Sequence, residues 1–115
     1  ERPEAPAEME SEDPAAVVTR HALAGDDALA VKALDIFVSV YGSQAGNLAL
    51  TLLATGGVYV AGGIAPRIVP KLRDGSFVAA FCRKGRLSDV AARFPVYVVL
   101  SPDVGLLGAA AAAAQ

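Results

Sequence analysis

Apolar residues recur every three or four positions from Ala30 through Leu34, Phe37, Tyr41, Ala45 and Leu48 to Leu52, which is the spacing of one helical face. A long helix starting near Ala28 follows from this pattern, with Asp26-Asp27 supplying its cap and first-turn acids. Ile36, Val38 and Val40 widen the apolar surface and predict a core helix covered on more than one side, with Phe37 and Tyr41 used for packing. Gly42 and Gly46 are positions where the helix bends or breaks, and Gly56-Gly57 should stop it.

Beyond that helix the period changes. Gly57 to Ala61 reads as a buried strand, since its apolar residues are consecutive and do not alternate with polar ones. A helix from about Pro66 to Leu72 is ended by Asp74-Gly75, Phe77 to Phe81 form a short helical turn, and Leu87 to Phe94 form another helix capped by Ser88 or an adjacent residue. Pro95 breaks the pattern and releases a second buried strand, Val96 to Leu100. Ser101-Pro102-Asp103 then turns into a last helix, Val104 to Ala114, with Asp103 as the turn or cap residue. The βαβα order predicts parallel strands in an α/β sheet covered by helices. Two strands are too few for a complete sheet, so the remaining strands are expected upstream in a longer chain, as a start at Glu1 instead of methionine also suggests.

Composition narrows the picture. With 54% apolar residues in 115, the chain has the material for a core, and a net charge of −2 gives no global field for nucleic acid. Residues 1–13 hold Glu1, Glu4, Glu8, Glu10, Glu12 and Asp13 against Arg2 alone, with Pro3 and Pro6 among them and Pro14 next to them. Residues 1–25 are therefore expected to be an acidic, proline-containing loop or linker, and 26–115 the folded part. The charge-free run Ala45 to Ala65 approaches a membrane span in length, but two glycine pairs, a strand-forming Val58 to Val60, and Asn47, Thr51 and Thr55 argue against one. A lone Cys82 excludes an internal disulfide or a paired-cysteine metal site and fits a core filler in a reducing, cytoplasmic setting.

Chemistry-bearing residues are sparse. His21 is the only histidine, without a nucleophile at a recognisable spacing, and reads as a surface residue. Asp26, Asp27 and Asp35 read as cap and helix surface, so neither a catalytic residue nor a metal ligand is expected. Between Ile64 and Pro95 stand Arg67, Lys71, Arg73, Arg83, Lys84, Arg86 and Arg93 against Asp74 and Asp89, but they are scattered along amphipathic segments and read as a solvated face. The stretch Gly56 to Arg67 is the most informative, because a short apolar strand lies between two glycine pairs and runs into a proline-started helix. Gly62 and Gly63 free the backbone of Cβ atoms where the strand ends, which permits positive φ and close approach by a flat ligand such as an adenine ring. The following helix would turn its N-terminal N–H groups to the same corner.

Several ordered blocks carry a resemblance. Gly46-Asn47-Leu48-Ala49-Leu50, Gly56 to Arg67, Phe77-Val78-Ala79-Ala80-Phe81 with Lys84-Gly85-Arg86, Pro95-Val96-Tyr97-Val98, and Gly105-Leu106-Leu107-Gly108-Ala109-Ala110 together resemble the C-terminal part of bacterial ATP-dependent glucokinases, over about residues 26–110. The resemblance implies the C-terminal portion of the large domain of an actin-like ATPase, of ribonuclease H-like α/β type. It implies ATP and Mg²⁺ as cofactors, glucose as the sugar, transfer of the γ-phosphoryl group to its 6-hydroxyl at the entry to glycolysis, and a cytoplasmic enzyme for which a homodimer is a possible state, without nucleic-acid or membrane partners. Gly62 and Gly63 would belong to the adenosine-side wall, and Gly105, Gly108 and Ala109 to an interdomain connector helix whose small residues let helices cross closely. The phosphate hairpin, the general-base aspartate and the sugar-site residues of that family have no counterpart here, so the segment alone is expected to be inactive.

Two further readings fit the same blocks. A sugar kinase or repressor of the broader open-reading-frame, kinase and repressor group also ends on a Gly-Gly turn and a Gly-Leu-x-Gly-Ala-Ala helix. A noncatalytic interaction module would instead use an exposed apolar surface to dock a partner.

Overall fold

Asp27 accepts hydrogen bonds from the Leu29 and Ala30 amides at 3.0 and 3.3 Å, and from this cap α2 (Ala28–Leu52) runs 25 residues without interruption. The computed structural model describes residues 13–101 and 103–115. Before α2 lies α1 (Pro14–Ala24). After it come β1 (Val58–Val60), a 3₁₀ turn (Ala65–Ile68), α3 (Val69–Leu72), α4 (Ser76–Cys82), a second 3₁₀ turn (Gly85–Leu87), α5 (Ser88–Ala91), β2 (Val96–Val98) and α6 (Val104–Ala113).

The two strands pair in parallel, Val58 opposite Val96, Tyr59 opposite Tyr97 and Val60 opposite Val98, as the βαβ order requires. Every second residue points the same way. Val58, Val60, Val96 and Val98 face the core built from Leu34 and Val38 of α2, Ile68, Leu72, Phe77 and Phe81, Ala91 and Phe94. Tyr59 and Tyr97 face the other way, 65% and 47% exposed, and stack on each other at 5.0 Å. Helices thus cover one face of the sheet only. Both strands were expected to be buried, and the difference has a physical cause: a parallel sheet is apolar on both faces because both are normally covered, and here the described residues leave Tyr59 and Tyr97 only partly covered.

The buried face of α2 is Ala30, Leu34, Val38, Gly42, Gly46 and Ala49, rotated from the expected stripe, of which Phe37, Leu48 and Leu52 are exposed. Apolar residues surround α2, so size decides the phase. A Cβ on Gly42 would lie 2.5 Å from the Phe77 carbonyl oxygen, and one on Gly46 would come closer still to that of Phe81. The glycines do not break the helix; they let the α4 backbone rest directly on it. Lys84 fastens the crossing, its Nζ donating to the Ser43 carbonyl at 2.8 Å and to Asn47 Oδ1 at 2.7 Å. Tyr41 adds edge contacts to Phe37 and Phe77, with centroids 5.5 and 5.7 Å away.

Four other boundaries differ from expectation. Residues 14–24 are helical instead of a loop, because Asp13 accepts from the Ala15 amide, Pro14 occupies the first turn where no N–H is needed, and Gly25 closes the end at φ 73°; residues 1–12 lie outside the described part. Leu53, left-handed at φ 46°, stops α2 before the glycine pair is reached. The helix expected from Pro66 to Leu72 is divided into the 3₁₀ turn and four-residue α3, and that from Leu87 to Phe94 shrinks to α5, where the Ser88 hydroxyl receives the Lys84 amide and does not cap. Asp103 sits at the start of α6 without a capping side-chain bond.

Candidate functional site

The end of β1 turns on glycine. Val60 is buried, whereas Ala61, Gly62, Gly63 and Ile64 are exposed, and Gly62 takes φ 109°, where a side chain is strained. Open space surrounds both glycines, since a Cβ on either would meet no atom within 4 Å. Ala65 and Ile68, fully buried, pin the 3₁₀ turn that follows, so the bare backbone is held on a fixed support. Because that turn is only four residues long and is not continuous with a long helix, the expected N-terminal anion corner is not formed.

Beside the turn a cleft of about 440 Å³ opens between α1, the first half of α2 and the 3₁₀ turn. Pro14, Ala16, Val18 and Thr19 form one wall, Ala33, Leu34 and Phe37 another, and Ile64, Arg67 and Ile68 the third. Gly62 and Gly63 stand next to this cleft and not in it; Ile64 joins the two. The lining is mainly apolar, with Arg67 and Asp13 as its charged groups and the Thr19 hydroxyl donating to the Ala15 carbonyl at 2.8 Å. Such a surface suits a flat heteroaromatic ring better than a phosphate. The α1 wall escaped the sequence reading because the acidic start dominated it, although Asp13-Pro14 and Gly25 are helix boundary signals. Phe37 was assigned to packing; it also faces this cleft, 41% exposed.

Two of the basic residues serve the fold. Lys84 is the α2 fastener, and Lys71 lies between Asp74, at 2.6 Å, and Asp35 of α2. These carboxylates raise the Lys71 pKa, Asp35 contributing most. In return the hydrogen bond from Lys71, followed by those from Ser76, lowers Asp74 to about 2. His21 Nδ1 lies 2.8 Å from Asp26 Oδ1, tying α1 to the α1–α2 connection. Cys82 is partly buried against the core, as a filler should be. Among the described residues no three His, Cys, Asp or Glu side chains gather to hold a metal ion, and no helix is long and apolar enough to cross a membrane.

Gly105, Gly108 and Ala109 lie on α6, all exposed, and a Cβ on either glycine would meet nothing within 4 Å. The close helix crossing that these small residues permit is not made within the described residues.

The sequence model of the family described as Glucokinase matches residues 2–115. The chain is 53% identical to a glucokinase of Synechocystis sp. over 94% of its own length and 30% of the relative's, and 46% identical to one of Nostoc punctiforme over 97% and 33%. A crystal structure of glucokinase from an Antarctic psychrotroph superposes with a TM-score of 0.73 at 37% identity, covering 85% of this chain and 30% of that one. The chain therefore spans about a third of the length of the relatives it matches.

Proposed function

Since the chain belongs to the glucokinase family, we propose that it is the C-terminal part of the large, actin-like α/β domain of an ATP-dependent glucokinase, residues 26–115 forming that part. The parent enzyme transfers the ATP γ-phosphoryl group to the 6-hydroxyl of glucose in the cytoplasm, yielding glucose 6-phosphate for glycolysis. The observation that carries this reading is the family match along almost the whole chain, joined to a parallel strand pair that ends in a bare glycine turn.

The site fits one end of the nucleotide. Gly62 and Gly63 offer side-chain-free backbone to the adenosine, and the adjoining cleft gives an apolar slot with Arg67 at its rim. ATP supplies the transferable phosphoryl group, and positioning provides most of the catalysis in such a reaction. Mg²⁺ would travel with the ATP phosphates, and no described residue of this chain is assigned to it. No catalytic base is assigned either. Gly105, Gly108 and Ala109 keep the connector role, with α6 left free to meet an element of the parent chain.

The test is a chimera in which this chain replaces the aligned segment of the Synechocystis glucokinase. Glucose-dependent ATP consumption by the folded chimera is the expected result, and a folded chimera without it would overturn the reading.

A further inference from the structure

Thr19 stands on the α1 wall of the cleft in a single hydrogen-bonding state. Its hydroxyl lies 2.8 Å from the Ala15 carbonyl, and since a carbonyl oxygen only accepts, the one Thr19 proton is used inside the helix. What Thr19 Oγ1 still offers the cleft is lone pairs. The other polar group of this wall, the Asp13 carboxylate, also only accepts, and its Oδ1 already receives the Ala15 amide at 3.2 Å. The α2 wall of Ala33, Leu34 and Phe37 has no polar side-chain atom, and Arg67, beside the glycine turn, has donors alone. The cleft therefore accepts along α1 and donates next to Gly62 and Gly63.

A base fits this division when the edge remote from its ribose carries a donor. With adenosine laid over Gly62 and Gly63, the ring enters past Ile64, and its outer edge is left to α1. Adenine carries an exocyclic amino group on that edge, whereas guanine and hypoxanthine carry a carbonyl oxygen there, which would face lone pairs. Arg67 does not separate the purines, because their ring nitrogens N3 and N7 accept in all of them. We infer that Thr19 is a specificity-determining residue for the nucleotide, its Oγ1 accepting a hydrogen bond from the 6-amino group of adenine. This inference rests on the glucokinase reading above. The bond to Ala15 does the selecting: a hydroxyl free to rotate could donate to a carbonyl oxygen as readily as it accepts from an amine, and would tell the two apart less well.

The experiment gives the active chimera two phosphoryl donors, ATP and purine riboside triphosphate, which lacks only the 6-amino group. The expected kcat/KM is about 5-fold higher for ATP, the size of one hydrogen bond that the analogue cannot make, with the difference in KM because the base is remote from the transferred group. Thr19→Val keeps the branched shape and removes the oxygen, and should bring the two donors within about 2-fold of each other; Thr19→Ser restores the hydroxyl and should restore the preference. Circular dichroism of both variants checks that α1 keeps its helical content. Equal use of the two donors by the unsubstituted chimera, or a preference that Thr19→Val leaves in place, would overturn the assignment while the family reading stands. A preference lost in Thr19→Ser as well would overturn it too, since side-chain shape and not the hydroxyl would then be responsible. A folded chimera that consumes no ATP would remove the family reading, and this inference with it.

Discussion

A methyl group at position 46 would collide with the Phe81 carbonyl, which is backbone and cannot swing away. Gly46→Ala should therefore destabilise the chain by about 2–3 kcal/mol, the cost of overpacking a tight contact, measured as a lower urea midpoint. The turn glycines divide differently. Gly62→Ala meets no atom but forces a side chain into φ 109°, at about 1–3 kcal/mol, whereas Gly63→Ala has no such strain and no neighbour within 4 Å. In the active chimera, Gly63→Ala should leave the melting temperature within a degree or two and raise the KM for ATP; an unchanged KM would mean that no ligand approaches this backbone. Charge supplies another residue-scale prediction. The Asp74 carboxyl is held near 2, below the ordinary value of about 3.9, so its contribution is present above about pH 4 and disappears as pH falls towards 2. Urea midpoints between pH 5 and 2 should fall more steeply for the wild-type chain than for Asp74→Asn, and added salt should narrow the gap because the pair is partly exposed. Of these residues, Gly62 announced itself by its place after an apolar strand. Gly42 and Gly46 did not, because a glycine inside a helical pattern looks like a defect until the element resting on it is known.

Helices and strands were legible in type more than in extent. Asp27 opened α2 where the acidic pair predicted, and the parallel order of β1 and β2 follows from the helices between them. The buried side of α2 was not legible, since Leu and Val occur all around it and the decisive residues are small ones. Its end was hidden for another reason: Leu53 adopts a left-handed cap that composition does not favour. Replacing this exposed leucine with glycine should stabilise the chain by about 1 kcal/mol, because the strain disappears and little packing is lost. A rise of a few degrees in the thermal midpoint of Leu53→Gly would bear this out, and a fall would show that the Leu53 side chain is needed for packing. The strands read as buried because their sequence is suited to a covered sheet; the tyrosine face exposes the half of that cover which the chain does not supply.

At the scale of the molecule, a radius of gyration of 16.6 Å exceeds the roughly 13 Å expected for a compact domain of this length. Ile36, Val40, Leu48, Leu52, Leu106 and Leu107 are all more than half exposed. The isolated chain should bind a hydrophobic dye such as ANS and self-associate at micromolar concentrations, and both properties should be reduced in the covalent chimera; fluorescence and light scattering compare the two directly. The family was readable at this scale because several short blocks keep their order and spacing, whereas the cleft depends on α1, which composition concealed.

The glycine seat between α2 and α4 also bears on motion. α2 is a rod about 37 Å long, and its seat on α4 works like a dovetail: with carbonyl oxygens lodged at Gly42 and Gly46, the rod cannot slide or roll without driving a neighbouring Cβ into backbone. The α2 rod and α4 are therefore expected to move as one body and not past each other. α6 has no such seat among the described residues, since a Cβ on Gly105 or Gly108 would meet nothing within 4 Å, and nothing of this kind fixes its position on the rod.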